Sequence, residues 1–294
     1  RFIVPSFVNI IVAANAGGAW SPFGDITTLM VWTSGNVQTL EFVYLVIPSI
    51  INWIVPALIM SPFVPDGKPV NTGEDVELKP GARVIMALGG LTIFTAVSFH
   101  QFLHMPPFLG MMFGLGLLMF EAYYLNASGV ETAYLQKMGI HEDRRVRERF
   151  NLFKRIEGVE FDTLLFFFGV LAAVGALQYI GYLAITSELL YGKMGPTVAY
   201  IAIGVFSAIL DNIPLMYAVL KMEPDMGLDQ WLLVTLTAGV GGSLLSIGSA
   251  AGVAVMGVDR KNYTFISHLK WTPAIAAGYF ASIGVWWLVT AGLR

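Results

Sequence analysis

The chain has 294 residues, of which 56% are hydrophobic and 13% are charged, and its formal net charge is -3. Soluble domains carry about twice that share of charged residues. The composition therefore excludes an ordinary soluble domain and indicates a protein embedded in a membrane. Cysteine is absent, which excludes disulfides, thiolate metal sites and thiol catalysis.

Apolar stretches long enough to cross the hydrocarbon core, about 20 residues each, predict an all-α polytopic membrane protein. The predicted spans are residues 2–32, 40–60, 83–103, 107–125, 161–186, 231–257 and 272–293. The chain opens with Arg1 rather than methionine and enters an apolar stretch at once. We therefore expect residues 1–294 to be the C-terminal part of a longer membrane domain.

The first span, within residues 1–32, is too long for one straight crossing and carries glycine and proline at its middle. Gly17, Gly18, Pro22 and Gly24 lie between Asn15 and Asp25. Residues of this kind interrupt a helix, so the sequence predicts a broken helix here.

The segment 126–160 is predicted to be a cytoplasmic loop. Cytoplasmic loops retain lysine and arginine, and with this loop inside, all but three of the 17 basic residues fall on the cytoplasmic side. The exceptions are Lys193, Lys221 and Arg294. Acidic residues interleave with the arginines of 141–155, which favours a solvated linker over a nucleic-acid patch.

Residues 198–257 are predicted to form a re-entrant hairpin followed by a second broken helix. Asp211, Asn212 and Pro214 lie in the middle of the apolar stretch 198–220, where they would be costly in a plain lipid-facing helix. The distribution of basic residues supports this prediction, because it favours the cytoplasmic side only if the stretch 198–220 returns to the side from which it enters.

The two broken helices resemble each other as an internal repeat. An alignment with an offset of 224 residues pairs Asp25 with Ser249 and pairs glycines at three positions. By the charge count the two spans cross in opposite directions, which is typical of inverted-repeat secondary transporters with a site between the breaks. Identities fall at Ala14, Gly17, Gly18 and Gly24 against Ala238, Gly241, Gly242 and Gly248.

Oxygen-bearing side chains surround both predicted breaks. They are Asn15, Ser21, Asp25, Thr27 and Thr28 in the first, and Ser243, Ser246 and Ser249 in the second. An all-oxygen set suits sodium or a proton better than a soft metal, and we expect the glycines to supply unusual dihedrals that free carbonyl ligands. Close packing by glycine and bonds from serine to its own helix are the structural alternatives.

These blocks, 15–28, 211–214 and 241–252, resemble the signature blocks of NhaD-type sodium/proton antiporters of the ion transporter superfamily, and the likeness covers the whole chain. It implies a homodimer in the bacterial inner membrane that exchanges cytoplasmic sodium or lithium for external protons, without a cofactor. The implied sodium ligands are Asp25, Thr28, Ser246 and Ser249. The functional positions it implies are Asn15, Asp25, Thr27, Thr28, Ser207, Asp211, Asn212, Ser246 and Ser249.

Other interpretations remain open at this point. A superfamily relative could carry dicarboxylate or arsenite, although an anion carrier is expected to avoid an acid such as Asp25 in its substrate loop. An intramembrane aspartyl protease would need a Gly-x-Gly-Asp motif, and Pro22 stands where its first glycine belongs. His100 and His104 have the spacing of a helical metal pair, and any of the four histidines, His100, His104, His141 and His268, titrates in the range of a pH sensor.

Overall fold

The computed structural model describes residues 2–65, 78, 80–129, 157–159 and 161–293, and its regular elements there are all helical. Most of the predicted cytoplasmic loop 126–160 lies outside the described residues. The longer helices, in chain order, are α1 (Ile3–Gly18), α2 (Ile26–Thr33), α3 (Val46–Met60), α4 (Ala82–Leu103), α5 (Phe108–Ala127), α6 (Phe161–Tyr179), α7 (Tyr182–Ser187), α8 (Pro196–Phe206), α9 (Asn212–Met222), α10 (Leu228–Gly241), α11 (Ala250–Val258), α12 (Phe265–Leu269) and α13 (Thr272–Val289).

The chain divides into two compact units, residues 68–164 and residues 1–67 with 165–294. In the smaller unit, α4 and α5 pack closely, because a Cβ on Gly110 would lie 2.6 Å from the backbone of Ala96. α4 ends at Leu103, and the next residue, His104, adopts a left-handed backbone conformation with φ 52°. His104 therefore lies past the end of the helix that carries His100, and the two do not form a regular helical pair.

The first broken helix consists of α1 and α2, which are separated by residues 19–25. Gly18 and Gly24 close the break by direct backbone contact, because a Cβ on Gly24 would overlap the Gly18 carbonyl. Neither glycine has a positive φ. The expectation that these glycines supply unusual dihedrals is therefore wrong, and what the break requires is the close approach of two backbones.

The second broken helix repeats this arrangement. α10 ends at Gly241, a 3-10 turn covers Gly242–Leu244, and α11 begins at Ala250. A Cβ on Gly242 would lie 2.6 Å from the Gly248 oxygen, and one on Gly248 would lie 2.7 Å from the Gly242 oxygen. The glycine pair therefore recurs at the offset that the sequence repeat predicts.

The larger unit is organised around α10. Its residues from Trp231 to Gly241 are all buried, as expected of a helix that is apolar on every side. It contacts α1, α2, α3, α8, α9 and α13. A Cβ on Gly241 would overlap the backbone of Gly204 in α8, so the hairpin lies directly against the central helix.

The predicted re-entrant hairpin is formed by α8 and α9, joined by the turn 207–211. The Tyr200 hydroxyl near the start of α8 donates to the sulfur of Met226, just beyond the end of α9. The chain therefore returns to the end from which it entered. A cavity of about 410 Å³ lies at this open end, between Tyr191 and Tyr200 on one side and residues 222–226 on the other.

The predicted span 161–186 is wrong as a single helix. α6 ends at Tyr179, and Gly181 adopts a left-handed conformation with φ 85° before α7 begins. The segment Tyr182–Gly192 then meets Pro196–Phe206 at a bend of 117°. Within the described residues, five helices are long and apolar enough to cross a membrane, or six if this bent pair is one span: Glu41–Phe63, Ala82–Leu103, Phe108–Leu125, Phe161–Tyr179 and Thr272–Val289.

The glycine contact at the first break predicts a sharp difference between neighbouring glycines. Gly24→Ala should destabilise the protein by about 1–3 kcal/mol, because the new methyl group must displace the Gly18 backbone. Gly17→Ala is the matched control, since a Cβ there meets nothing within 4 Å and alanine is the better helix former. Thermal unfolding of both variants in detergent measures the effect, and equal unfolding temperatures would contradict the contact.

Candidate functional site

Asp25 caps the second half of the first broken helix. Its backbone is extended, and its Oδ1 accepts from the backbone N–H of Ile26 at 2.6 Å. The Thr28 hydroxyl accepts from the backbone N–H of Asp25 at 3.2 Å, which completes a capping box. The half-buried carboxylate thus lies at the positive end of the α2 dipole, where a negative charge is favoured.

The same carboxylate joins the hairpin to the first break. The Asn212 side chain, at the start of α9, donates from Nδ2 to Asp25 Oδ2 at 2.8 Å. The Thr27 hydroxyl donates to that oxygen at 3.2 Å. Both oxygens of Asp25 therefore accept hydrogen bonds, and the bond from Asn212 ties the hairpin to the first break.

A second hydrogen bond joins the two breaks to each other. Asn15 of α1 donates from Nδ2 to the Ser249 hydroxyl at 3.0 Å, although the residues are 234 positions apart. Ser249 also accepts from the backbone N–H of Gly252 at 3.3 Å, and so caps α11. Asp25 and Ser249 therefore occupy equivalent capping positions, as the repeat predicts, with a carboxylate in one copy and a hydroxyl in the other.

The hairpin turn contacts the second break through its backbone. A Cβ on Gly248 would lie 2.6 Å from the Ala208 oxygen and 2.7 Å from the Ser207 oxygen. The Ser207 hydroxyl donates to the Ala238 carbonyl in α10 at 2.9 Å. Ser246, within the break, is fully buried, and its hydroxyl has no hydrogen-bond partner among the described residues. That hydroxyl is available to a ligand.

Two predicted ligands are committed to local bonds instead. The Ser21 hydroxyl accepts from the backbone N–H of Phe23 at 3.3 Å, and the Ser243 hydroxyl donates to the Val240 carbonyl of its own helix. Thr28 also bonds locally, because its hydroxyl donates to the Asp25 carbonyl at 2.7 Å. Asp211 lies at the hairpin tip, close enough to Asp25 for the two carboxylates to interact electrostatically.

Sequence reasoning gave His268 no structural role, yet it supports the second break. It is fully buried, and its Nε2 lies 3.0 Å from the Ser243 carbonyl oxygen. A carbonyl can only accept, so Nε2 carries the hydrogen and Nδ1 accepts from the Tyr263 hydroxyl. Neutral His268 thus fixes a carbonyl at the break.

Asp229 is a second residue that the sequence analysis missed. It is buried in the first turn of α10, and Gln230 beside it donates to both Asp229 Oδ2 and the Thr197 hydroxyl of α8 at 3.1 Å. This group ties the base of the hairpin to the central helix. An acid at the start of an apolar span was the available signal.

Two broken helices that meet at their breaks, one of them preceded by a re-entrant hairpin, are characteristic of inverted-repeat secondary transporters. The carboxylate, amide and hydroxyl oxygens at the meeting point suit a small hard cation. The fold and the site therefore define a secondary transporter of cations.

Comparison with known proteins identifies the family within that class. The chain is 54% identical to a Na(+)/H(+) antiporter NhaD of Vibrio parahaemolyticus over 95% of this chain and 69% of that protein. It is 52% identical to NhaD of Vibrio cholerae over 96% of the chain and 61% of the relative. Sodium/proton antiporter 1 of Arabidopsis thaliana is 33% identical over 94% and 47%. The chain belongs to the NhaD family of sodium/proton antiporters.

Two further comparisons complete this result. The family model described as a citrate transporter, CitMHS, matches residues 145–241. No solved structure matches the chain. The chain spans about six- to seven-tenths of the bacterial relatives it matches, from 60% to 69% of their length.

Burial lowers the pKa of His268 below its ordinary value of 6.5, against the opposing effect of its bonds to backbone groups at Ser243 and Leu244. The unfolded chain then binds more protons than the native one as the pH falls through about 6.5, so native stability decreases with acidification. His268→Gln should flatten the dependence of the unfolding temperature on pH between about 5 and 6.5.

His104→Asn is the control for this measurement, because His104 is exposed and asparagine tolerates its left-handed conformation. The control variant should keep the wild-type slope. An unchanged slope in His268→Gln would assign the acid sensitivity to another group.

Proposed function

We propose that the full-length protein containing this chain exchanges cytoplasmic sodium, or lithium, for external protons across the bacterial inner membrane. The observation that carries the proposal is the position of Asp25, a half-buried carboxylate where both breaks and the hairpin meet. The names of the bacterial and plant relatives support the same activity.

The sodium ligands that we propose are the predicted set Asp25, Thr28, Ser246 and Ser249, with backbone carbonyls from the break region. Ser246 fits because its buried hydroxyl has no partner among the described residues. The Ser249 hydroxyl accepts two hydrogen bonds, from Asn15 and from Gly252, so a cation that binds to its oxygen would displace the Asn15 amide. The Thr28 hydroxyl donates to the Asp25 carbonyl and accepts from the Asp25 N–H, so one lone pair remains for a cation.

Competition between sodium and a proton for Asp25 would couple their movements. Asn212 and Thr27 hold the ionised carboxylate by donating to Oδ2. A sodium ion that binds there displaces a donated hydrogen bond, and the Asn212 amide can then turn its oxygen toward the cation. A proton on Asp25 removes the charge that attracts sodium. If the site opens to the other side of the membrane only when sodium or a proton is bound, the carrier exchanges one ion for the other.

Asp211 differs from Asp25 in its setting. It precedes the first residue of α9 at the hairpin tip, and its side chain does not cap that helix. Its charge acts on Asp25 across the site. We propose that Asp211 raises the local affinity for cations, while Asp25 carries the exchanged proton.

Competing activities fit the site less well. A carrier for anions such as dicarboxylate or arsenite would place its negative substrate beside Asp25 and Asp211. Like charges that lie close together repel each other. The family to which the chain belongs consists of transporters, so the chain is not an aspartyl protease. Assembly as a homodimer and the preference between sodium and lithium stay predictions of the family resemblance.

Asparagine substitutions should separate the two acids. Asp25→Asn preserves the helix cap, since asparagine caps as well as aspartate, but it cannot hold the exchanged proton. Exchange in everted vesicles, followed with a pH-sensitive dye, should therefore disappear at every sodium concentration. Asp211→Asn should keep the maximal rate and raise the sodium concentration at half-maximal exchange. Near-normal maximal exchange by Asp25→Asn would transfer the coupling role to Asp211.

Alanine substitutions at two nearby serines test the ligand set. Ser246→Ala should raise the half-saturating sodium concentration about fivefold, the effect of losing one interaction worth about 1 kcal/mol. Ser243→Ala is the matched control, because its hydroxyl is committed to the Val240 carbonyl. Sodium titrations of exchange by both variants would show equal shifts if Ser246 were not a ligand.

A further inference from the structure

A second group of polar side chains is buried in α3, away from the residues assigned to ion binding. Ser49 is 2% exposed and Asn52 is fully buried. The Ser49 hydroxyl and both amide atoms of Asn52 have no hydrogen-bond partner among the described residues. The two residues lie one helical turn apart, and Asn52 is at the centre of the candidate span Glu41–Phe63.

A main-chain oxygen on the same turn of α3 lacks its usual helical donor because of Pro56. A proline inside a helix cannot donate to the carbonyl four residues earlier, and for Pro56 that carbonyl belongs to Asn52. α13 packs against this turn of α3, because a Cβ on Gly278 would lie 2.6 Å from the main-chain oxygen of Asn52 and 2.7 Å from the Pro56 ring. The turn of α3 that carries the Ser49 hydroxyl and the Asn52 amide therefore also has a main-chain oxygen, next to α13, that receives no hydrogen bond from Pro56.

Leaving these groups unbonded would be costly. A buried polar group without a partner costs about 1–3 kcal/mol, and the hydrocarbon around a membrane protein offers no alternative partner. A partner for the Ser49 hydroxyl and the Asn52 amide must therefore be small enough to enter the buried space beside them.

We propose that Ser49 and Asn52 form an internal hydration site that holds at least one water molecule between α3 and α13. The chemistry selects water over a cation. The Asn52 Nδ2 needs an acceptor, whereas the Asn52 oxygens need donors, and a water molecule provides both. A bare cation would satisfy only the oxygens, and neither Ser49 nor Asn52 supplies a charge to compensate it.

The site is separate from the proposed ion site but borders its helices. α3 packs against α1 and also contacts α10, the first halves of the two broken helices. Trp53, next to Asn52, donates from Nε1 to Asn9 of α1 at 2.9 Å. Hydration at this depth therefore lies one helix away from the breaks, and its existence does not depend on which ion is transported.

Cysteine accessibility tests the proposal, because residues 1–294 contain no cysteine. In the full-length protein, with any cysteine elsewhere replaced, Ser49→Cys should react with a small neutral methanethiosulfonate at least about tenfold faster than Ser282→Cys, since only a hydrated thiol ionises readily. Ser282 is the matched control: it is fully buried in α13, and its hydroxyl is satisfied by the Tyr279 carbonyl at 2.7 Å.

Two further conditions define the occupant of the site. Adding Asn52→Leu to Ser49→Cys should reduce the rate to that of Ser282→Cys, because leucine fills the space and binds no water. Replacing sodium in the buffer with a large organic cation should leave the rate unchanged. Equal rates for the two cysteines, a fast rate that survives Asn52→Leu, or a rate that sodium suppresses would each overturn the hydration site.

A measurement on the unaltered protein avoids any folding defect of the variants. Hydroxyl radicals produced by X-ray radiolysis of bound water oxidise neighbouring side chains. Pro56 should be oxidised, whereas Leu232, fully buried in α10, should be protected. Protection of Pro56 equal to that of Leu232 would show that no water resides there.

Discussion

The structure depends on one constraint: a helix that restarts inside a membrane has backbone N–H groups in its first turn with no partner in the helix and no water to bond them. Asp25 and Ser249 resolve it at the two breaks by capping the helices that restart there. In the first break the capping group is also the charged group of the site. Asp25 thus both stabilises the interrupted helix and supplies the charge that binds a cation. The hydrogen bonds from Asn15 to Ser249 and from Asn212 to Asp25 orient the two amides.

Much of this architecture follows from sequence because breaks and repeats leave local signals. Glycine and proline inside long apolar stretches predicted the broken helices, and Asp211, Asn212 and Pro214 within the apolar stretch 198–220 predicted the hairpin. The 224-residue offset placed Asp25 and Ser249 in equivalent positions, and both residues cap the second half of a broken helix. These features could be predicted because each violates the ordinary composition of a membrane span.

Features that depend on where a side chain points could not be predicted. Ser243 and Ser246 look alike in sequence, yet one hydroxyl bonds to its own helix and the other has no partner among the described residues. His268 contacts the Ser243 carbonyl although the two residues are 25 positions apart, and no sequence pattern predicts this contact. The end of α6 at Tyr179 was also missed, because the left-handed conformation at Gly181 leaves the apolar pattern uninterrupted.

The glycine contacts have a consequence for how such a carrier moves. Gly18 meets Gly24, Gly242 meets Gly248, and Gly204 meets Gly241, in each case backbone against backbone. Packed backbones of this kind resist continuous deformation. Rewinding a break during each cycle would require these contacts to separate. We therefore expect the hairpin and the second broken helix to move as one block, and access to the site to alternate by sliding or rocking of that block rather than by reshaping of the breaks.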